Sequence, residues 1–258
     1  TENVARMSLN VGFLPNDKPV LLQIDGNRTL TVASRADTGW VQIEKSRRGR
    51  WRLGAAGALE KTPQRGGRFK SVFDNNAILV YSTGGATEEN AWSLAKARYD
   101  AQTFWYRGNG SLEVIADKDF DPDSQRNRNV VLYGNTDTNL ALPALLSTCP
   151  VRVRGGKVLV RSEGIERAEE GENLAALFVR PRFGSRTASV GLVGGAGLPG
   201  MRLTNRIRYF LAGVNLPDLT IIGADAPTVG DEEVRAAGYF GADWRIETGD
   251  IEWRDLAL

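Results

Sequence analysis

The pattern of apolar and polar positions divides the chain into two parts. Residues 3–53 carry short apolar runs with partial alternation, separated by turn signals such as DGN at 25–27. This pattern predicts four or five short β-strands, which would form a small sandwich or a layer packed on another element. The following segment, 54–67, is rich in Gly, Ala, Lys and Pro and has no apolar periodicity, so we interpret it as a linker.

From about residue 68, strand and helix patterns alternate. Apolar runs predict strands at 77–81, 111–116, 129–134, 174–181, 187–194 and 219–225. Helical patterns cover 88–107, with Thr87 as N-cap and Gly108 as stop, and also 140–147, 201–213 and 231–241. Strands alternating with helices predict an α/β domain with a mostly parallel or mixed sheet and helices on both faces, as in Rossmann and flavodoxin-like folds. The predicted organisation is therefore a β-rich segment with its linker at 1–66 and an α/β domain at 67–258.

A β-hairpin is predicted within this second part. Segment 151–161 places valines on one face and Arg152 and Arg154 on the other, and Gly155 and Gly156 supply a two-residue turn. The predicted sheet is therefore mixed or decorated.

The overall charge restricts the partners that we expect. The formal net charge is +2, with 41% apolar and 25% charged residues, which are the proportions of an ordinary globular protein. A balanced charge gives no strong attraction to nucleic acid or to an anionic membrane. No apolar run approaches the roughly 18 residues of a membrane span. We therefore expect neither nucleic acid nor membrane as a partner.

The absence of histidine excludes common catalytic arrangements. A Ser-His-Asp triad, a Cys-His pair and a histidine-ligated metal site cannot be built from this chain. The single cysteine, Cys149, lies between apolar residues and Pro150, and it is predicted to be a small buried residue. We expect no metal and no cofactor, and the chain alone is predicted not to be catalytic.

Two glycine-rich turns are candidates for phosphate binding. The sequence YSTGGATEEN at 81–90 joins a strand to a helix, but no lysine follows, and Glu88 and Glu89 would repel a phosphate. Gly195, Gly197 and Gly200 spell G-x-G-x-x-G between a strand and a helix, which keeps a nucleotide-binding site open as an alternative. The alternating aspartates at 117–123 suggest calcium, but the glycine and glutamate positions of an EF-hand loop hold Pro122 and Arg128.

Several long segments together resemble a known protein region. Residues 73–114, 128–139, 191–214 and 234–244 are similar to the C-terminal accessory region of bacterial proteins whose first domain is a prolyl-oligopeptidase-type α/β-hydrolase. The resemblance implies an exported protein, periplasmic or extracellular, and a hydrolase domain of the same precursor or complex as partner. It also implies that the hydrolase serine and histidine lie outside this chain, so the expected function is a non-catalytic accessory or interaction module of a serine peptidase or esterase. Any export signal would have been removed or would belong to a longer precursor.

The predicted binding crevice lies where three strands end. If the strands ending at 81, 134 and 193 are parallel neighbours, the loops that follow them open on one edge of the sheet. The crevice would offer neutral hydrogen-bonding groups to a sugar, a peptide or another domain. Its predicted residues are Ser82, Thr83, Gly84, Gly85, Asn135, Thr136, Gly195 and Gly197. A stand-alone nucleotide- or sugar-binding protein or enzyme that uses the Gly195–Gly200 loop is the alternative.

Overall fold

The computed structural model describes residues 4–15, 18–32, 39–55, 57 and 59–254. They belong to two compact units, Thr1–Ala58 and Leu59–Leu258. Residues 56 and 58 of the predicted linker lie outside the described part. Residues 60–65 of that segment belong to the second unit, where the Arg65 side chain is buried and Nη1 donates to the Ser185 carbonyl at 2.7 Å.

The first unit contains two small antiparallel sheets. Its described strands are β1 (Arg6–Asn10), β2 (Val20–Leu22), β3 (Leu30–Val32), β4 (Trp40–Lys45) and β5 (Trp51–Gly54). The order β1-β4-β5 forms one sheet, and β2 pairs with β3 in the other. Alternate residues point inward, so that Val32, Val41, Ile43 and Trp51 form a small core with Val11. The prediction of four or five short strands is confirmed.

The second unit is built on an eight-stranded mixed sheet with a three-stranded sheet beside it. Its described strands are β6 (Ile78–Tyr81), β7 (Glu113–Ala116), β8 (Val130–Tyr133), β9 (Val151–Arg154), β10 (Lys157–Ser162), β11 (Ile165–Glu170), β12 (Ala175–Pro181), β13 (Ser189–Gly195), β14 (Leu219–Ile222), β15 (Val234–Tyr239) and β16 (Asp250–Trp253). The large sheet has the order β16-β15-β14-β12-β13-β8-β6-β7. Strands β7, β6, β8 and β13 are parallel, whereas β12, β14, β15 and β16 join by antiparallel pairing.

The predicted Rossmann-like fold with helices on both faces is wrong. The described helices are α1 (Thr87–Gly108), α2 (Leu142–Leu146), α3 (Leu198–Leu203) and α4 (Ala226–Val229), and only α1 is longer than six residues. The connection from β8 to β12 contains the β9–β11 sheet in addition to the short α2. The predicted hairpin within it is confirmed, with Val158 opposite Val153 and Gly155 and Gly156 at the turn. The valines of β9 and β10 pack into the main core. The unit is therefore mostly β.

Two predicted helices account for much of this error. Segment 231–241 contains β15, which pairs with β14 and β16. Gly238 in β15 has a φ of 158°, and a Cβ added to it would lie 2.1 Å from the Asp250 carbonyl oxygen of the neighbouring strand. Pairing with neighbouring strands, and not local helical propensity, therefore decides the conformation of this segment. Segment 201–213 is helical only as far as Leu203, followed by one 3-10 turn at Thr204–Arg206.

A buried arginine anchors the long loop before β8. Arg182 is 1% exposed, and its guanidinium donates four hydrogen bonds to the carbonyls of Pro122, Ser124, Gln125 and Arg128 at 2.7–3.0 Å. These carbonyls lie in turns outside the strands, so one buried side chain holds the turns together. Burial lowers the pKa of this guanidinium, and the neighbouring charges of Arg126 and Arg128 act in the same direction.

Backbone segments approach one another closely where the central strands end. A Cβ added to Gly194 would lie 1.9 Å from the Gly134 carbonyl oxygen, and one added to Gly200 would lie 2.0 Å from the Leu174 carbonyl oxygen. Glycine is required at both positions because any side chain would meet backbone atoms.

We therefore expect Gly194→Ala to lower the free energy of unfolding by about 2–3 kcal/mol, as overpacking does in a filled core. Gly155→Ala is the matched control, because its added Cβ would be 3.6 Å from the nearest atom and should change stability by less than about 0.5 kcal/mol. Urea unfolding of both variants measures the difference. Equal stability would contradict the close packing described.

Candidate functional site

The three predicted loops do lie at one edge of the sheet. Strand β8 is parallel to β6 on one side and to β13 on the other, with Leu132 opposite both Val80 and Leu192. The connections that follow these strands therefore leave from the same edge. The structure thus brings the predicted crevice residues together, and their partners decide what they offer to a ligand.

The loop after β6 uses its amides within the protein. The Gly84 amide donates to the Thr138 carbonyl at 2.9 Å, and the Gly85 amide donates to Asn90 Oδ1 at 3.0 Å. The Ser82 amide donates to Ser93 Oγ at 2.7 Å, and the Ser82 hydroxyl is itself buried. The expected free donors at Gly84 and Gly85 are therefore already occupied, because the loop is pinned to its own helix and to the next loop.

The loop after β8 is bonded in the same way. Asn135 Nδ2 donates to the Gly195 carbonyl at 3.0 Å, and Asn135 Oδ1 accepts from the Asp137 amide at 3.0 Å. The Thr136 amide donates to the Val153 carbonyl at 2.9 Å, and its hydroxyl oxygen is buried. Asn139 Nδ2 bridges the carbonyls of Val80 and Tyr133, which joins β6 to β8.

Asp117 fastens two of these loops to each other, a role that the sequence analysis missed. Its carboxylate accepts from the amide and hydroxyl of Thr83 at 3.1 and 2.5 Å and from the Leu140 amide at 2.7 Å. The residue follows β7 at the same edge, which is the signal that could have identified it. Its oxygens thus accept hydrogen bonds from the protein, whereas a calcium site would need them as metal ligands. Among the described residues, no three His, Cys, Asp or Glu side chains are grouped as metal ligands would be.

The Gly195–Gly200 loop is filled by the chain itself. The Gly200 amide donates to the Glu172 carbonyl at 3.0 Å, and the Ala196 amide donates to the Leu174 carbonyl at 2.9 Å. A Cβ added to Gly197 would lie 2.8 Å from Glu172 Cβ. The segment before β12 therefore packs directly against the Gly195–Gly200 loop, and both Gly195 and Gly197 are buried.

A buried polar network lies beneath α1. Lys96 Nζ donates to Asp100 Oδ1 and to the Tyr209 hydroxyl, both at 2.7 Å, and the Tyr133 hydroxyl donates to Asp100 Oδ2 at 2.9 Å. The Tyr209 hydroxyl donates to the same carboxylate oxygen. The Lys96 and Asp100 side chains are 3% and 1% exposed, so each charge depends on the other for stabilisation.

Burial sets the direction of every pKa in this network. Desolvation lowers the pKa of Lys96 and raises that of Asp100, and the attraction between the two charges opposes both shifts. Burial, followed by the Asp100 charge, raises the pKa of Tyr133 and Tyr209 well above the usual value. The i,i+4 spacing of Lys96 and Asp100 predicts that the two side chains pair on a helix. The spacing does not distinguish a buried pair from an exposed one.

A cleft with two chambers lies on another part of the unit. One chamber of about 510 Å³ and a second of about 250 Å³ share the lining residues Ser147, Thr148, Cys149, Arg180 and Trp244. The outer face of β9 and β10 lines the larger chamber, where Arg152 lies opposite Leu159 in the register. The sequence analysis placed Arg152 on the exposed face of this hairpin but did not assign it to a site.

Two arginines of the cleft have hydrogen-bonding capacity to spare. Among the described residues, Arg152 has no hydrogen-bond or ion-pair partner, and Arg180 has one, through Nη1 to the Trp244 carbonyl. Burial raises the pKa of the Cys149 thiol, and the charges of Arg180 and Arg152 oppose that rise. Both arginines line the larger chamber together with Cys149, which is buried as predicted.

Comparison with known proteins finds similarity to a secreted protein and assigns no family. No family model matches the chain. An uncharacterized secreted protein of Arthroderma benhamiae is 26% identical over 251 residues, which is 95% of this chain and 26% of that protein. The chain thus spans about a quarter of the length of the relative it matches. None of the described helices is both long enough and apolar enough to cross a membrane.

The tyrosine network generates a pH prediction. A tyrosine whose pKa is raised by folding keeps its proton while the unfolded chain loses it. The stability contributed by Tyr133 and Tyr209 is therefore fully present below about pH 10 and is lost above it. The lowered pKa of Lys96 opposes this loss until the lysine of the unfolded chain has also lost its proton, at about pH 10.4. Above that pH the free energy of unfolding should fall with a slope that approaches about 1.4 kcal/mol per pH unit for each tyrosine. Urea unfolding between pH 8 and 11 measures it.

Tyr209→Phe supplies the control for this prediction, since it removes one of the two buried hydroxyls. The variant should lose about half of the alkaline slope. An unchanged slope, or tyrosinate absorbance from both tyrosines in the folded protein near pH 10, would contradict the assignment.

Proposed function

We propose that this chain is a non-catalytic binding module within a larger exported protein. The observation that carries the proposal is the closed carboxyl edge of the parallel strands, where α/β proteins usually hold their ligands. Here Asp117, Asn135 and Asn139 bond the loops to one another, and the Gly195–Gly200 loop is filled by the chain. With no histidine in the chain, a serine would lack the usual base.

The comparison supports a larger exported protein. The relative is described as secreted, and the region matched to this chain is 26% of its length. We infer the same setting for this chain, in the periplasm or outside the cell. The absence of internal disulfides agrees with either location, because many exported proteins have none.

The proposed partner is a serine hydrolase domain of the same precursor or complex. This part of the proposal rests on the resemblance of residues 73–114 and 191–214 to the C-terminal region of prolyl-oligopeptidase-type proteins. The complete reading frame and the intact mass of the natural protein test it. We expect an α/β-hydrolase domain in the same polypeptide or in a co-purifying subunit, and a natural protein without either would contradict this assignment.

The chain alone should also show no serine-dependent turnover. We expect no ester or aminoacyl-ester hydrolysis that a serine-directed inhibitor abolishes, and no labelling by a fluorophosphonate probe, because no histidine activates a serine. Gel fluorescence and mass spectrometry after probe treatment check this. An active serine hydrolase treated in parallel establishes that the probe is competent.

One serine merits a matched variant. Ser189 stands in the sequence TASVG, which resembles a nucleophile elbow, but it is buried in β13 and its amide donates to Asn129 Oδ1 at 2.8 Å. Labelling of the chain that disappears in Ser189→Ala would overturn the non-catalytic proposal.

A further inference from the structure

We propose that the cleft around Arg180 binds the C-terminal carboxylate of a peptide, with Arg152 and Arg180 as the residues that hold it. The proposal deepens the function proposed above, because it names the ligand class of the binding module. It rests on the charges, hydrogen bonds and volume of the cleft.

Arg152 provides the accessible charge. Its side chain lies on the outer face of β9, while its neighbours Val151 and Val153 point into the core. It lines the larger chamber and has no partner among the described residues. A planar guanidinium with free N–H groups forms two parallel hydrogen bonds with a carboxylate, a geometry that lysine does not provide.

Arg180 provides a pre-oriented second donor. Its guanidinium lies over the rings of Phe240 and Trp244, at 4.6 and 6.0 Å from their centroids, and Nη1 is held by the Trp244 carbonyl. These contacts fix the group between the two chambers while its remaining N–H groups have no partner among the described residues. A donor that is already held in place loses little conformational entropy when a ligand binds.

Acidic groups line the same chamber and select the type of anion. Glu166 pairs with Arg161 at 3.1 Å, and Glu247 accepts from Ser162 Oγ and from the Glu163 amide at 3.1 and 2.8 Å. The Glu163 carboxylate lines the chamber without a partner among the described residues. With the four arginines of the lining, these three carboxylates leave an excess of one positive charge, which matches a single carboxylate better than a dianionic phosphate. The carboxylates would also accept hydrogen bonds from peptide N–H groups.

The dimensions and lining favour a peptide over a sugar acid. The larger chamber lies within the range of about 300–1,000 Å³ that small-ligand sites have. Leu159 and Ile246 supply apolar surface for side chains. The Trp244 ring is 1% exposed and covered by Arg180, so it offers no open aromatic face on which a sugar ring could stack.

The test uses N-acetyl-trialanine as the probe and its C-terminal amide as the matched ligand. Titration into the ¹⁵N-labelled full chain, followed by chemical-shift changes, should show saturable binding of the acid with Kd of about 0.1–1 mM. The amide should bind at least 10-fold more weakly, because it removes the charge-assisted hydrogen bonds. Galacturonate and inorganic phosphate are titrated in parallel, and tighter binding of either would overturn the peptide assignment.

Arginine variants locate the binding. Arg152→Gln should weaken binding of the acid at least 10-fold and should leave binding of the amide unchanged. Arg154→Gln is the control on the same strand and face, because Arg154 pairs with Asp137 at 2.9 Å outside the cleft, and it should bind as the parent does. Arg180→Lys keeps the positive charge but loses the planar fork, and it should also weaken binding.

The outcomes separate this inference from the proposed function. No binding of the acid, or equal effects of Arg152→Gln and Arg154→Gln, would overturn the inference. The proposal of a non-catalytic module would still stand in that case, provided that the fluorophosphonate probe labels no serine. Probe labelling of a serine would overturn the proposed function whether or not the peptide acid binds.

Discussion

The second unit depends on one constraint: the backbone groups at the carboxyl ends of its parallel strands must find partners inside the protein. Buried amides and carbonyls without hydrogen bonds are costly, and loops that meet over a sheet lack the regular partners of a ladder. The side chains of Asp117, Asn135 and Asn139 supply many of them, and the backbone segments at Gly134, Gly194 and Gly200 pack too closely to accept a side chain. The same side chains therefore hold the loops to one another and occupy many of the hydrogen-bonding groups that the sequence offers there.

The cleft shows the opposite arrangement. At the sheet edge the loop amides and the side chains of Asp117, Asn135 and Asn139 are largely paired with one another. In the described part of the chain, by contrast, Arg152 and most of the Arg180 guanidinium keep their donors available in a concave region. The aromatic contacts of Arg180 hold that guanidinium without neutralising it. A binding surface on this unit is thus more consistent with the β9–β10 face than with the glycine-rich loops, although the loops contain the better-known sequence pattern.

The sequence predicted those strands of the second unit that contain apolar runs, because such runs are a local signal. The runs at 77–81 and 129–134, and the valine alternation at 151–161, report the side of the chain that is buried. The helix predicted at 231–241 is wrong because this segment forms β15 by pairing with β14 and β16. A local pattern of apolar residues does not report pairing with strands elsewhere in the chain. The sequence could predict that the three loops lie at one edge, because the loops follow parallel strands. It could not predict the hydrogen bonds that join the loops to one another. Likewise, Arg152 could be placed on an exposed face, while its position in the same chamber as Arg180 depends on the tertiary fold.

The bonds of Arg182 also bear on how the chain assembles during synthesis. The guanidinium lies 54 to 60 residues downstream of the four carbonyls that it binds. A ribosome-bound chain that has emerged only as far as β8 consequently cannot complete the 122–128 loop, however well its earlier strands have paired. The loop must stay solvated until β12 and the residue that follows it have emerged, so the parallel half of the sheet acquires its final form only when the antiparallel half begins to be made.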